Sequence, residues 1–92
     1  MWVVNNNKER IKLYLKSDIE SNITNLNDAS NRIHDTISSI NRVAGGAVTG
    51  KDQQMIGDCQ RALQEISTSL QNLYTCRNYV ESLETREWVN DE

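Results

Sequence analysis

The chain has no proline and no phenylalanine, and it has only four glycines in 92 residues. Three of these glycines, Gly45, Gly46 and Gly50, lie in one short stretch near the middle of the chain. Glycine adopts positive φ without a side-chain penalty, and in a helix interior it costs about 1 kcal/mol relative to alanine. The cluster therefore predicts a turn, at which one helix ends and a second helix begins.

Residues that carry chemistry are also few. His34 is the single histidine, and no pattern of Cys, His and carboxylate residues supplies the three or four ligands that a metal ion needs. No recognisable motif places a base beside a serine or a cysteine. The stretch from Gly45 to Lys51 resembles a phosphate-binding loop, but Asp52 stands where serine or threonine is required. We therefore expect a protein that is not an enzyme and that holds no metal or other cofactor.

Long apolar runs and a basic stripe are both missing. The apolar segment Met1–Val4 stops at three asparagines, which predicts neither a secretory signal peptide nor a membrane span. The ten basic and thirteen acidic residues are scattered along the chain, which argues against nucleic acid as the partner. We expect no membrane insertion, and a location in the cytoplasm or export by a route that recognises a folded protein. Cys59 and Cys76 are seventeen residues apart, roughly 25 Å along one helix, and so cannot form a disulfide with each other.

Residues at helical spacing fill both segments around the turn. The first stripe consists of Ile11, Leu15, Ile19, Ile23, Leu26, Ser30, Ile33, Ile37, Ile40 and Ala44. The second consists of Ile56, Cys59, Leu63, Ile66, Leu70, Leu73, Arg77 and Val80. Steps that alternate between three and four indicate a seam facing another helix. The pattern predicts an all-α fold, an antiparallel two-helix hairpin in one domain spanning 1–92, with helix 1 at about 7–43, the turn at 44–52, helix 2 at about 53–87 and an acidic tail at 88–92.

The ends of the predicted helices carry capping signals. Asn6 followed by Glu9 resembles a capping box for helix 1, and the cap of helix 2 is either Thr49, with Asp52 three residues on, or Asp52 itself. The steps of four before Ile19 predict that the first two turns of helix 1 meet a different neighbour or splay from the hairpin.

A second row, Met55, Ala62, Ser69, Cys76 and Leu83, lies beside the helix 2 stripe and widens its apolar face. One facing helix cannot cover both rows, so we expect the hairpin to complete a helical bundle with a partner or with itself. The predicted partner-binding residues are Ile23, Ile33, Ile37, Met55, Ile56, Leu63, Ile66 and Leu70, and the alternative is that most of them serve the intramolecular seam. Trp88 either packs near Trp2 or is an exposed anchor for a partner.

Two long helices, a glycine-containing turn and an acidic tail resemble the small WxG-type helical hairpins that bacterial type VII (ESX) systems export. Members of that family pair into four-helix bundles and carry a Tyr-x-x-x-Asp/Glu export motif after the second helix. The last five residues, WVNDE, resemble this motif, with Trp88 as the aromatic residue and Glu92 as the acid. The turn reads AGG at 44–46 and has no tryptophan at the Trp-x-Gly position. The chain is therefore more similar to the divergent small helical proteins that are encoded beside LXG-domain toxins.

This resemblance implies an export chaperone or targeting factor that binds the helical N-terminal region of a larger LXG-type toxin. A second small helical protein is a further partner that the resemblance implies. Two other interpretations stay open. One is a self-assembling homodimeric four-helix bundle with a structural or secretion-apparatus role, and the other is a regulatory module that acts on an enzyme.

Overall fold

The computed structural model describes residues 1–90, so Asp91 and Glu92 lie outside the described part. Its elements are β1 (Trp2–Val4), α1 (Asn6–Ala44), α2 (Gly50–Glu81) and β2 (Arg86–Trp88). The two helices pack against each other in antiparallel orientation, and the two strands form a small antiparallel sheet at the open end of the hairpin. The predicted all-α hairpin is confirmed, with one addition, the short sheet.

The turn lies where the glycines predicted it. Gly45 and Gly46 have φ values of 62° and 109°, a region in which side chains other than glycine are strained. The Gly45 N–H donates to the Asn41 carbonyl at 3.2 Å and closes the last turn of α1. Thr49 caps α2 through a capping box, in which Asp52 N–H donates to the threonine hydroxyl and the Asp52 carboxylate accepts from Thr49 N–H. The helix therefore begins at Gly50, three residues before the predicted start.

α1 is capped one residue earlier than predicted. Asn5, not Asn6, has extended backbone angles, and its side chain accepts from Lys8 N–H at 3.1 Å. The Asn5 N–H also donates to the Thr85 carbonyl at 2.8 Å, which fixes Asn5 as the residue that joins β1 to the helix. This second bond involves the far end of the chain, so the local sequence could not distinguish the two asparagines.

The predicted end of helix 2 at residue 87 is wrong, because α2 stops at Glu81. The Lys12 ammonium group donates to two backbone carbonyls, that of Glu81 at the helix end at 2.9 Å and that of Leu83 just beyond it at 3.2 Å. Residues 86–88 are instead extended and pair with 2–4 in the register Trp2↔Trp88, Val3↔Glu87 and Val4↔Arg86. Trp88 therefore belongs to a strand rather than to a tail.

The hairpin is a thin rod with extents of 80 × 15 × 12 Å. Within residues 1–90 the buried residues are Ile23, Val80 and Thr85, which expose 8%, 5% and 7% of their surface. The remaining seam positions between the helices are half-buried, because one facing helix can cover each of them from one direction only. The core is therefore a single line of side chains along the contact between α1 and α2.

Candidate partner-binding surface

The predicted partner-binding residues fall into two groups in the structure. Ile23 is buried, and six others are half-buried at the seam between the helices: Ile33, Ile37, Ile56, Leu63, Ile66 and Leu70. Met55 is the exception, with 52% of its surface exposed. The seam group holds the hairpin together and keeps part of each side chain in contact with solvent, so a further helix could cover it.

The start of α1 is arranged differently from its middle. Ile11 and Leu15 lie off the seam and expose 57% and 40% of their surface. Glu9, Lys12 and Lys16 occupy the half-buried positions instead. The apolar residues alone predicted that the stripe drifts away from the hairpin here. In the structure the seam continues, but it is formed by polar side chains. The signal that could have found them is spacing alone, since steps of three and four counted back from Ile19 reach Lys16, Lys12 and Glu9.

These polar residues join α1 to the C-terminal segment. The Thr85 hydroxyl donates to the Glu9 carboxylate, and Thr85 is one of the buried residues of the structure. Lys16 forms an ion pair with Glu81 at 3.6 Å, and Lys8 forms one with Glu87 at 3.1 Å. We name this assembly the terminal clasp: the strands β1 and β2, the connection 82–85, and the α1 side chains that hold them.

The outer face of the clasp is aromatic. Trp2 and Trp88 pack edge to face with ring centroids 5.7 Å apart, and the Arg86 guanidinium lies 5.4 Å from the Trp2 ring. The two indoles nevertheless expose 54% and 61% of their surface. Backbone bonds between Met1 and Val89 continue the pairing beyond the tryptophans. Trp88 therefore packs on Trp2, as one interpretation predicted, and its indole is also exposed to solvent; that it anchors a partner stays a prediction. Glu92, the acid of the predicted export motif, lies outside the described residues.

Ion pairs set the electrostatics of the clasp. Hydrogen bonds from the Arg86 side chain and backbone lower the pKa of Glu84 from 4.5 to about 2. Hydrogen bonds from Lys8, and then from Asn5, lower the pKa of Glu87 below 4.5. Both carboxylates are therefore charged at neutral pH and paired with cations.

Exposed large apolar side chains are concentrated at the two ends of the rod. Those at the clasp end are Met1, Trp2, Val4, Ile11, Leu13, Tyr14, Leu15, Tyr74, Tyr79, Trp88 and Val89. Those at the turn end are Val43, Val48 and Met55, of which Val43 is 89% exposed. Of the residues that the structure describes, none between 16 and 42 or between 56 and 73 belongs to this set. The surface best suited to hydrophobic binding therefore lies at the ends, with the half-buried seam between them.

Each end also has a groove between the helices. The turn groove, with a volume of about 470 Å³, is lined by Asp35, Thr36, Ser39, Ile40, Val43, Asp52 and Met55. The clasp groove, with a volume of about 240 Å³, is lined by Lys8, Ile11, Lys12, Leu83, Glu84 and Thr85.

Residues 1–90 contain no group of three or more His, Cys, Asp or Glu side chains that could hold a metal ion. Neither helix, over the same residues, has a stretch long and apolar enough to cross a membrane. Cys59 is half-buried and Cys76 exposed, and both are free thiols.

Comparisons of the chain with protein-family models, with curated proteins and with solved structures find no match.

Proposed function

We propose that this protein is a non-catalytic helical adaptor, which binds the helical N-terminal region of a larger type VII secreted toxin and helps to target it for export. The observation that carries the proposal is that the two helices leave many large apolar side chains exposed and bury their own seam only in part. The toxin class comes from the resemblance in length, hairpin architecture and tail motif. The need for a helical partner rests on the geometry.

The accessible surface area and the elongated shape of the chain both support the need for a partner. The chain exposes 7117 Å², whereas a folded monomer of 10.5 kDa exposes about 5,400 Å². Its radius of gyration is 21.7 Å, compared with about 12 Å for a compact domain of this length. The hairpin therefore has a shape that is common in bundle subunits and unusual in a protein that acts alone.

The face offered to a client consists of the half-buried seam residues together with the exposed Met55 near the turn. A client helix laid along the seam would cover the open sides of Ile33, Ile37 and Leu63, and it would reach Met55 near the turn. This is helix-in-groove recognition, in which apolar residues on one face supply most of the binding energy.

The clasp supports a separate role for Trp88. The sheet pairing and the contact with Trp2 hold its backbone in place, while 61% of the residue is exposed. An ordered, exposed indole next to an acidic segment is suited to recognition by a third protein, such as the export machinery.

Export of the client, measured separately from complex formation, tests the proposal. The variants W88A and E92A should reduce secretion of the toxin about tenfold or more while the two proteins still co-purify, because the recognition residues lie outside the client-binding face. Y79A is the matched control, since Tyr79 is an equally exposed aromatic residue that lies outside the motif. Unchanged secretion by W88A and E92A would remove the tail from the proposal, and failure of the toxin region to bind the wild-type hairpin would remove the adaptor role.

A self-assembling homodimer with a structural or secretion-apparatus role is the second candidate, since the same surface excess supports it. The two functions differ in the complex that remains after a candidate client has been added. An adaptor exchanges its own copies for a client, whereas a structural subunit retains them when the candidate client is added.

A further inference from the structure

The small sheet of the terminal clasp has two outer edges, and its hydrogen bonds show which backbone groups point to them. Met1 and Val89 exchange two backbone bonds, and the Asn5 N–H donates to the Thr85 carbonyl. In an antiparallel ladder, bonded pairs alternate with pairs that exchange no bonds. In the observed register, the pairs of residues 2 and 4 are of the second kind. Their backbone N–H and C=O groups therefore point away from β2, to the outer edge of β1.

The two edges differ in whether these outward groups already have partners. Within residues 1–90, no backbone group bonds to the outward groups of Trp2 and Val4. On β2, the Arg86 N–H donates to the Glu84 carboxylate at 2.9 Å, and the Arg86 side chain bonds to the same carboxylate. The Glu84 side chain therefore covers the edge of β2 at this position, whereas the edge of β1 is open.

β1 also lacks three features that commonly keep a sheet edge from pairing with another chain, namely charged side chains, proline and β-bulges. The segment Trp2–Val4 has no charged residue and no proline, and its register with β2 is regular. The Trp2 and Val4 side chains lie on the same face of the sheet, because residues two apart in a strand point the same way. They expose 54% and 55% of their surface. The open backbone groups therefore lie beside an exposed apolar surface.

The chemistry of this edge defines what it can bind. Outward N–H and C=O groups two residues apart match the backbone of an extended segment, whereas a helix uses its own backbone groups internally. The Arg86 guanidinium, which contacts the Trp2 ring, is already paired with Glu84. A charge placed beside Trp2 would therefore lose water without gaining this cation as a partner. The segment that fits is extended, with uncharged apolar side chains next to Trp2 and Val4.

We propose that β1 binds an extended segment of another protein as a third strand, hydrogen-bonded to Trp2 and Val4 and with apolar side chains at alternate positions. The new strand continues the existing ladder between β1 and β2 and leaves it intact. β1 becomes the central strand of the enlarged sheet. This interface does not depend on the adaptor function, because a client helix packs along the rod and the extended segment binds at its end.

A synthetic peptide tests the edge directly. The probe is a five-residue peptide of alternating threonine and valine, acetylated and amidated at its ends, which is added to the full wild-type chain labelled with nitrogen-15. At saturation, hydrogen exchange of the Trp2 and Val4 amides should slow about tenfold or more, because each gains an acceptor. The amides of Asn5 and Val89 already bond across the sheet and should change by less than about twofold.

Two N-methylated isomers of the probe separate strand addition from apolar contact. A strand that places its two valines beside Trp2 and Val4 directs the N–H groups of those valines to β1. Methylation of these two nitrogens should weaken binding about tenfold or more, because it removes the donors. Methylation of the first two threonine nitrogens is the matched control, since they point away from β1, and binding should stay within about twofold of the unmodified probe.

Variants of the protein test the same edge from the other side. V4P removes an outward N–H that the β1–β2 ladder does not use, so the sheet should persist while peptide binding weakens about tenfold or more. V4T is the matched control, because it keeps this N–H, and it should bind within about twofold of wild type. The near-UV circular dichroism of the Trp2–Trp88 pair reports whether the sheet is intact. If V4P loses this signal, the two N-methylated isomers decide the matter on the wild-type chain.

Four outcomes would overturn the proposal. They are unchanged exchange of the Trp2 and Val4 amides, equal weakening by the two methylated isomers, and unchanged binding by a folded V4P chain. The fourth is protection of these amides that rises with protein concentration in the absence of peptide, which would show that a second copy takes the edge. Loss of the peptide interaction would leave the adaptor function intact, and failure of the toxin region to bind would leave this inference intact.

Discussion

Between Ile19 and Ala44, α1 meets α2 through side chains at alternating steps of three and four that are apolar except for Ser30, whereas the same row at the clasp end consists of Glu9, Lys12 and Lys16. The middle seam is held by burial of hydrocarbon, which is not directional. The clasp is held by hydrogen bonds and ion pairs with defined partners, several of them about seventy or more residues away in the chain. The hairpin therefore combines an apolar seam, along which the two helices could slide past each other, with a clasp that fixes the register of the two helices.

The difference has a consequence for binding. An apolar seam with half-buried residues can accept another helix without losing its own contacts, because each side chain keeps an open side. The clasp cannot, since its polar groups already have partners within the chain. We therefore expect partners to pack along the rod and to leave the terminal sheet intact.

The largest loss of stability should come from removing a side chain of the middle seam. I23A removes a side chain that is 8% exposed and should lower the free energy of unfolding by about 3 kcal/mol, measured by chemical denaturation. L13A removes an exposed residue, and should change the free energy by less than about 0.5 kcal/mol. Equal losses for the two variants would mean that burial between the helices is not what stabilises the hairpin.

A smaller loss should come from the clasp. K12M keeps the hydrocarbon stem but removes the donor to the Glu81 and Leu83 carbonyls, so we expect a loss of about 1–2 kcal/mol. K16M is the control, because its exposed pair with Glu81 should contribute less than about 1 kcal/mol. Hydrogen exchange at the amides of Asn5 and Val89, which bond across the clasp, should accelerate in K12M and remain unchanged in K16M. Acceleration limited to the end of α2 would show that the clasp does not open as one unit.

These two regions also explain what the sequence could and could not predict. The middle seam follows from periodicity, since every position from Ile56 to Val80 in the second stripe is half-buried or buried as expected. The turn and the Thr49 cap follow from glycine and capping chemistry within a few residues. The end of α2 and the terminal sheet were missed because they depend on pairing between residues 2–4 and 86–88, which no local pattern records. Lys12 was missed for the same reason, as its partners lie 69 and 71 residues away.

The sequence predicted that the candidate binding surface is apolar, but it predicted less well where on the hairpin that surface lies. An apolar excess was visible in the sequence, and the structure locates its most exposed part at the two ends rather than along the middle. Leu15 illustrates the reason. By type it was predicted to lie in the seam, yet it directly precedes Lys16 of the polar row. Adjacent residues differ by about 100° around a helix, so Leu15 lies off the seam and is 40% exposed.

The smallest expected effect is the opening of the clasp at low pH. The folded-state pKa of Glu87 is lowered by Lys8 and Asn5, so its contribution to stability is present above the unfolded value of 4.5 and is lost as pH falls through the lower folded value. The pKa of Glu84 is lowered further, to about 2, but Arg86 is two residues away and can pair with it in the unfolded chain as well. Glu87 should therefore govern acid opening of the clasp, because its pair with Lys8 joins opposite ends of the chain.

Trp2 and Trp88 report this opening directly, since their edge-to-face contact gives a near-UV circular dichroism signal that disappears when the strands separate. In wild type the signal should fall as pH is lowered below 4.5 and through the lowered pKa of Glu87. E87Q should begin with a weaker clasp at neutral pH and lose part of this acid dependence, and K8Q should do the same because it removes the other member of the pair. E84Q should retain the acid response of wild type. If E84Q abolishes the response while E87Q keeps it, the local pair with Arg86 closes the clasp, and the link between the two ends contributes little.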